Sequence, residues 1–373
     1  MHILFVTATY PPTINGVAVT VSNLKKELEK KGHKVTVLAP NNPAASKESG
    51  VIRFTSIFNP LNKDYPIPLV PGLLALNKLK QRGKPDIVHA HHPFSVGYFA
   101  KKIADYYRIP LVFTYHTNYD IYAEKYLNFL PKILAKDSVN RKVNSYCGQA
   151  DLVITPARHI ENRIKNEVEG INVKTIPAGV ADLTKSKLSK GKLRKSLSIP
   201  FGKTILLTVS RLSAEKQTDI LIKSLKYLPN KYILVVVGGG PYENTLRELA
   251  NNLKLNDRVK FTGAVEHTKV GGYYQAADYF YYASESETQG LICLEATSFG
   301  LPVVSVNSDA ASEWLNSEFA VLTKSDPEEI AAGIGEITKR NYNHLSKSAK
   351  FNADKYSKGQ LTDKLILSYE QLL

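Results

Sequence analysis

HILFVTATYPPTINGVAVTVSNLKKELEKKGHKVTVLAP, His2 to Pro40, decides the fold. ILFVTA reads as a buried strand, and TYPPTINGV as the loop after it. An amphipathic helix then runs through TVSNLKKELEKKG to a stop at Gly32, and KVTVLAP is a second strand. That is a strand–helix–strand unit. The same alternation returns at PDIVHAHHP, IPLVFTYHT and ADLVITPA, each a short apolar strand ending in polar residues. Continuous apolar strands separated by helices predict a parallel sheet covered on both faces, so the class is α/β.

A second series follows at TILLTVSRLS, YILVVVGGGP, VKFTGAV, DYFYYAS and LPVVSVN. Between the two lies DLTKSKLSKGKLRKSLSIP, residues 182–200, with six basic residues from Lys185 to Lys195 and no acid among them. It reads as a connector with a short helix. The expected organisation is two tandem Rossmann-like domains, 1–181 and 201–373, joined through 182–200. From Asp326 onward the pattern is helical, and the terminal helix is a candidate to pack back on the N-terminal domain.

Length supports two domains, because single cores rarely grow past about 250–300 residues and the chain has 373, with 43% hydrophobic. Cys147 and Cys293 lie far apart in sequence, which points to a reduced, cytoplasmic protein rather than a disulfide-built one. The N-terminus has no basic stretch and reads as a first strand, not a leader. No apolar run approaches the roughly 18 residues that a spanning helix needs. The formal charge of +15 is lopsided: residues 1–180 carry 24 Lys/Arg against 13 Asp/Glu, a net +11, which leaves +4 for the rest. A basic N-terminal half suits an anionic partner, whether nucleic acid, an acidic membrane face or a phosphorylated substrate. Solubility is the plainer alternative.

Ligands of open parallel sheets bind beyond the carboxyl ends of the strands, and there the unusual residues gather. Gly16 in PPTINGVA precedes a helix start, where backbone amides can approach an anion. Arg211 and Lys216 in RLSAEK suit a diphosphate, one by forked hydrogen bonds and one as a point charge. Gly238 to Gly240 either admit a ligand or only shape their loop. In SESETQGLICLEATSFGLPVV, Ser284 to Val304, a helix is expected to start near Gly290. Glu287 would then lie in the loop, Glu295 in the second turn, and the amides of Gly290, Leu291 and Ile292 would be donors for a phosphate. TYHTNYD presents His116, Thr117, Tyr119 and Asp120 at the other sheet's edge. HAHHP puts His89 and His91 on one strand face and His92 on the other, with no carboxylate or cysteine partner, so zinc is not expected. The stretch 124–144 mixes Phe129 and other apolar residues with Lys125, Lys132 and Lys136. It reads either as a helix on an anionic membrane or as a core-packed helix with a solvated basic face.

Taken in order, PPTINGV, DIVHAHHP, TYHTNYD, VITPA, TIPAGV, VSRLSAEK, VVVGGGP, FTGAVEHTKVGGYYQAADYF and SESETQGLICLEATSFGLPVV resemble the retaining glycosyltransferases of family 4 over nearly the whole chain. The last string is similar to their signature of two glutamates eight positions apart. The resemblance implies the GT-B fold, two Rossmann-like domains facing a central cleft, and a nucleotide-sugar donor held mainly by the C-terminal domain. It implies that Arg211 and Lys216 bind the diphosphate and that Gly16 closes on the donor phosphate. Glu287 would hold the sugar hydroxyls, beside the backbone of Gly290 and Leu291, and Glu295 the ribose. Gly239 and Val265 would complete the donor site, and His116 would stand near the sugar's 6-hydroxyl. Catalysis would be metal-independent and without a cofactor. The acceptor would attack on the face the diphosphate leaves, with net retention. Three positions depart from the family pattern: Ala178 for an asparagine, and Ser210 and Gln217 for glycines.

HTNYD, ETQGL and the basic N-terminal half are most similar to the diacylglycerol glucosyltransferase subgroup. That implies glucose transfer from UDP-glucose to a membrane lipid by a peripheral protein on the cytoplasmic membrane face, with Tyr119, Asp120, Lys125, Phe129, Lys132 and Lys136 as the tentative acceptor or membrane surface. The competing readings are a polysaccharide, polyprenyl-linked or soluble acceptor, a glycosidase using Glu287 and Glu295 as its acid/base pair, and, from pI alone, a nucleic-acid-binding protein.

Overall fold

The computed structural model describes all residues except 14, 58–66, 70–71, 117–118, 120–131, 181–182 and 286–288, and does not describe the side chains of 67–68, 73, 132–135 and 267. The chain forms two compact units: Met1–Gly179 with Lys358–Leu373, and Val180–Ser357.

In the first unit, β1 (His2–Val6), β2 (Lys34–Pro40) and β3 (Val51–Phe54) form one side of a seven-stranded sheet. A two-residue hairpin, β4 (Ser56–Ile57) with β5 (Ile67–Pro68), lies apart from it. The other side comprises β6 (Ile87–Ala90), β7 (Leu111–Thr114), β8 (Leu152–Thr155) and β9 (Val173–Thr175), in the order β3-β2-β1-β6-β7-β8-β9. Every pair in the large sheet is parallel. β1 is buried along its whole length between β2 and β6, which is why its sequence is apolar without alternation. The helix Gly16–Lys30 returns over the sheet with Ala18, Val21 and Leu28 inward. Asn15 caps its start by accepting from the Ala18 amide at 2.8 Å, and Gly32 at φ +84° lets the chain leave it.

The second sheet contains β10 (Thr204–Val209), β11 (Tyr232–Val237), β12 (Val259–Phe261), β13 (Tyr279–Tyr282), β14 (Val303–Val306) and β15 (Ala320–Thr323), ordered β12-β11-β10-β13-β14-β15 and again all parallel. In each unit the strand order reverses once, between β1 and β6 and between β10 and β13. The loops leaving those four strands flank the switch points at which such sheets bind ligands.

Residues 183–199 belong to the second core and are not a connector. Leu183, Leu193 and Ile199 are buried with Val270, Tyr274 and Ala276, and Arg194 and Lys190 both reach Asp278 at 2.7 Å. Four of the six cations, Lys190, Lys192, Arg194 and Lys195, lie on a packed helix, Lys190–Ser196. The last helix, Lys358–Glu370, lies in the first unit, where Leu365 and Tyr369 share a core with Ile3, Phe5 and Val21. No helix among the described residues is long and apolar enough to cross a membrane.

Candidate active site

At the carboxyl edge of the second sheet, β10 runs into a loop that carries Arg211, exposed, and Lys216, half-buried, within a short helical turn Ala214–Lys216. The glycine triplet after β11 holds this loop in place. A Cβ on Gly238, at φ +132°, would fall 1.9 Å from the Ser210 carbonyl oxygen, and one on Gly240 would fall 2.2 Å from that of Leu212. The close approach lets Leu212 donate to the Gly239 carbonyl at 3.1 Å. The triplet therefore shapes the loop that presents Arg211.

Gln217 follows Lys216 in the left-handed region, φ +50° and ψ +33°. That conformation favours glycine. Here the side chain secures it: the amide nitrogen donates to Glu285 at 3.1 Å, and the amide oxygen accepts from Ser325 at 3.3 Å. Ser284 also donates to the Glu215 carbonyl at 3.3 Å, so the loops after β10 and β13 are tied together.

The loop after β13 ends at Gly290, φ +66°, and the helix is Leu291–Ser298, as the spacing of SESETQGLICLEATSFG predicts. Gly290 has no side chain to cap the first amides, which leaves them as the positive end of the helix for an anion. Glu295 lies in the second turn, half-buried, and accepts a hydrogen bond from the Tyr274 hydroxyl at 3.1 Å. Val265, partly buried, follows β12 at the same edge. The structure therefore gathers Arg211, Lys216, Gly239, Val265, Gly290, Leu291 and Glu295 at the ends of four adjacent strands. Glu287 lies outside the described residues.

The first unit's carboxyl edge is different. Gly16 is the first residue of its helix, exposed, and a Cβ there would meet nothing within 4 Å. Among the described residues no packing requires this glycine. Beyond β6 and β7 the histidines interlock: His91 Nδ1 and His116 Nε2 share a hydrogen bond of 2.9 Å, and the His89 and His91 rings stack with centroids 4.3 Å apart. His89 Nδ1 meets the Tyr369 hydroxyl and His89 Nε2 that of Thr114, each at 2.6 Å. His91 Nε2 is buried without a hydrogen-bond partner. Burial lowers the pKa of His89 and of His116 to about 3, with the neighbouring His116 and His92 charges respectively adding to it, and burial alone lowers His92 to about 4. His91 is lowered well below 6.5 by burial and by the other three imidazoles. All four rings are neutral at pH 7. Among the described residues no His, Cys, Asp or Glu cluster is arranged to hold a metal ion.

Tyr119 is 2% exposed and packs edge-on to Tyr115 and Phe94, with centroids 4.9 and 5.7 Å away. Thr117, Asp120, Lys125 and Phe129 lie outside the described residues, as does the side chain of Lys132. The rest of that stretch is the helix Lys132–Cys147, with Val139, Val143 and Tyr146 buried, Arg141 and Lys142 exposed and Lys136 half-buried. The described half is thus a helix packed on the core through Val139, Val143 and Tyr146, with Arg141 and Lys142 on its exposed side. Sequence reasoning passed over His91 and Tyr274 as site components. The HAH spacing places His91 at a strand end beside His116, whereas nothing local marks Tyr274.

The chain is similar to known proteins over most of its length. A family model described as Glycosyltransferase Family 4 matches residues 14–182, and one described as Glycosyl transferases group 1 matches 189–356. The alpha-monoglucosyldiacylglycerol synthase of Streptococcus pneumoniae is 34% identical over 317 residues, which are 82% of this chain and 70% of that protein. Its namesake from Acholeplasma laidlawii is 29% identical, covering 96% of this chain and 94% of the relative. Among solved structures, Anabaena HepE in complex with UDP superposes with a TM-score of 0.79 at 20% identity, covering 100% of both chains. A sucrose-phosphate synthase from Thermosynechococcus elongatus gives 0.78 at 18% identity, covering 100% of this chain and 98% of that one. At these identities the two structures share the fold, two parallel-sheet Rossmann-like domains.

Proposed function

The chain belongs to the group 1, family 4 glycosyltransferases of the GT-B fold, and on that premise we propose that it transfers glucose from UDP-glucose, with retention, to diacylglycerol at an anionic membrane face. The observation that carries this reading is the second unit's strand-end edge, where two cations and an uncapped helix start meet a carboxylate at the switch point. That is a diphosphate cradle beside an acceptor of hydroxyl hydrogen bonds. The acceptor is suggested by the named activity of the relative at 34% identity and by the net +11 of residues 1–180.

Departure of UDP from the sugar's anomeric carbon places negative charge on the diphosphate. Arg211 and Lys216 and the amides at Gly290 and Leu291 receive it, an electrostatic task that commonly supplies the largest part of catalysis. These groups do so without a resident cofactor. Glu287 holds the sugar hydroxyls and Glu295 the ribose. His116, neutral, takes the 6-hydroxyl. The acceptor hydroxyl attacks the oxocarbenium-like carbon on the face the diphosphate leaves, and a phosphate oxygen takes its proton, so the anomeric configuration is kept. Gly16, which the fold itself does not require, leaves room for the donor phosphate.

The test is transfer of labelled glucose from UDP-glucose into liposomes containing diacylglycerol, with and without anionic lipid. An α-glucosyl lipid formed faster on anionic liposomes is the expected product. Transfer to soluble or polysaccharide acceptors alone overturns the acceptor assignment, and a β-linked product overturns retention.

A further inference from the structure

Tyr274 sits in the helix His267–Ala276 and is fully buried. Its ring stacks on Phe299 at 5.4 Å, with the planes 21° apart, and tilts against Phe280 at 5.9 Å. A ring held on two sides in a close-packed core cannot swing away. Its hydroxyl donates to Glu295 Oε2 at 3.1 Å. Burial, with the Glu295 charge beside it, raises the phenol's pKa well above 10, so it remains a donor across the working pH range.

This arrangement constrains Glu295 in a way its own helix does not. A glutamate in the second turn of an eight-residue helix has three side-chain torsions and loses roughly 1–2 kcal/mol of rotamer freedom when a ligand fixes it. The tyrosine fixes it in advance. A carboxylate can accept about four hydrogen bonds, so the bond from Tyr274 does not by itself fill it.

We infer that Tyr274 is a positioning residue that holds Glu295 in the orientation needed to recognise ribose, and so sets the enzyme's preference for ribonucleotide over 2′-deoxyribonucleotide donors. The inference rests on the proposed donor site. The plain alternative is that a buried hydroxyl merely found an acceptor, and this makes a different prediction.

Calorimetric titration of the full chain with UDP and with 2′-deoxy-UDP decides between them, using the parent, Glu295→Ala and Tyr274→Phe. The Phe variant keeps the stacked ring, and its fold is checked by circular dichroism and thermal unfolding. The parent is expected to favour UDP, and Glu295→Ala to erase most of that preference. Tyr274→Phe is expected to weaken UDP about 5–10-fold, the scale of one charge-assisted hydrogen bond, while 2′-deoxy-UDP changes less than about twofold. Should Glu295→Ala erase the preference while Tyr274→Phe keeps it, the inference fails and the donor site stands. Equal weakening of both nucleotides by Tyr274→Phe makes the tyrosine a packing residue and also overturns the inference. If UDP binds the parent and both variants alike, the ribose assignment fails and the inference with it.

Discussion

The two carboxyl edges have the same topology and opposite electrostatics. At the ends of β6 and β7 the first unit carries neutral imidazoles: His91 and His116 bond to one another, and His89, within β6, bonds to the hydroxyls of Thr114 and Tyr369. Beyond β10 the second carries Arg211, exposed, and Lys216, half-buried, and beyond β13 the helix start at Gly290, with positive-φ backbone at Gln217, Gly238 and Gly290 in the loops after β10, β11 and β13. One edge presents uncharged hydrogen-bonding groups, the other two cations and a helix start without a side-chain cap. Parallel sheets of the same design can therefore carry different chemistry, because the loops and not the strands supply it.

The sharpest way to break this contrast is to discharge the second edge. Lys216→Ala is expected to lower kcat/KM for transfer about 10²–10³-fold in the liposome assay, if its proposed task is to receive charge from the leaving diphosphate. Gly238→Val attacks the same loop through its backbone. With a Cβ 1.9 Å from the Ser210 carbonyl oxygen, it should cost about 3 kcal/mol in urea unfolding and displace Arg211 as well.

Acid separates the edges from the other side. His89 and His116 have folded pKa values of about 3 against an ordinary 6.5. Above pH 6.5 neither the folded nor the unfolded chain protonates them. As the pH falls from 6.5 toward 3 the unfolded chain takes up protons that the folded chain refuses, so stability falls with pH in that window. By pH 5 the loss should be on the order of 1–2 kcal/mol for each ring, read from urea midpoints at pH 7 and pH 5. A His116→Asn variant should show a shallower pH dependence.

The smallest effect tests the strap at Gln217. Gln217→Ala keeps a Cβ at φ +50° and loses both side-chain bonds, so it should cost about 1 kcal/mol. Gln217→Gly relieves the backbone while losing the same bonds and should lie within about 0.5 kcal/mol of the parent.

How far the sequence discloses these edges depends on the range of the interaction. Long buried strands such as ILFVT and YILVVV have a local apolar pattern, and the switch-point loops carry their cations and glycines in contiguous strings. The short edge strands Val51–Phe54, Val173–Thr175 and Ala320–Thr323 have too few residues to declare a period. Residues 183–199 misled because six cations outnumber the three buried apolar side chains that decide their place. Tyr274 and Glu295, 21 residues apart, meet only through tertiary packing. The His91–His116 bond likewise joins neighbouring strands, which the strand order reveals and the spacing does not.

The last helix has a bearing on biosynthesis. Ribosomes deliver β1 well before Lys358–Glu370, and domains generally fold as their residues emerge. Yet Leu365 and Tyr369 complete the core that Ile3 and Phe5 begin, and the Tyr369 hydroxyl is one of the groups that satisfies His89. The second unit, Val180–Ser357, is complete before that helix has been made. The first unit thus begins before the second and is completed after it, its buried His89 partnered only once Lys358–Glu370 has emerged.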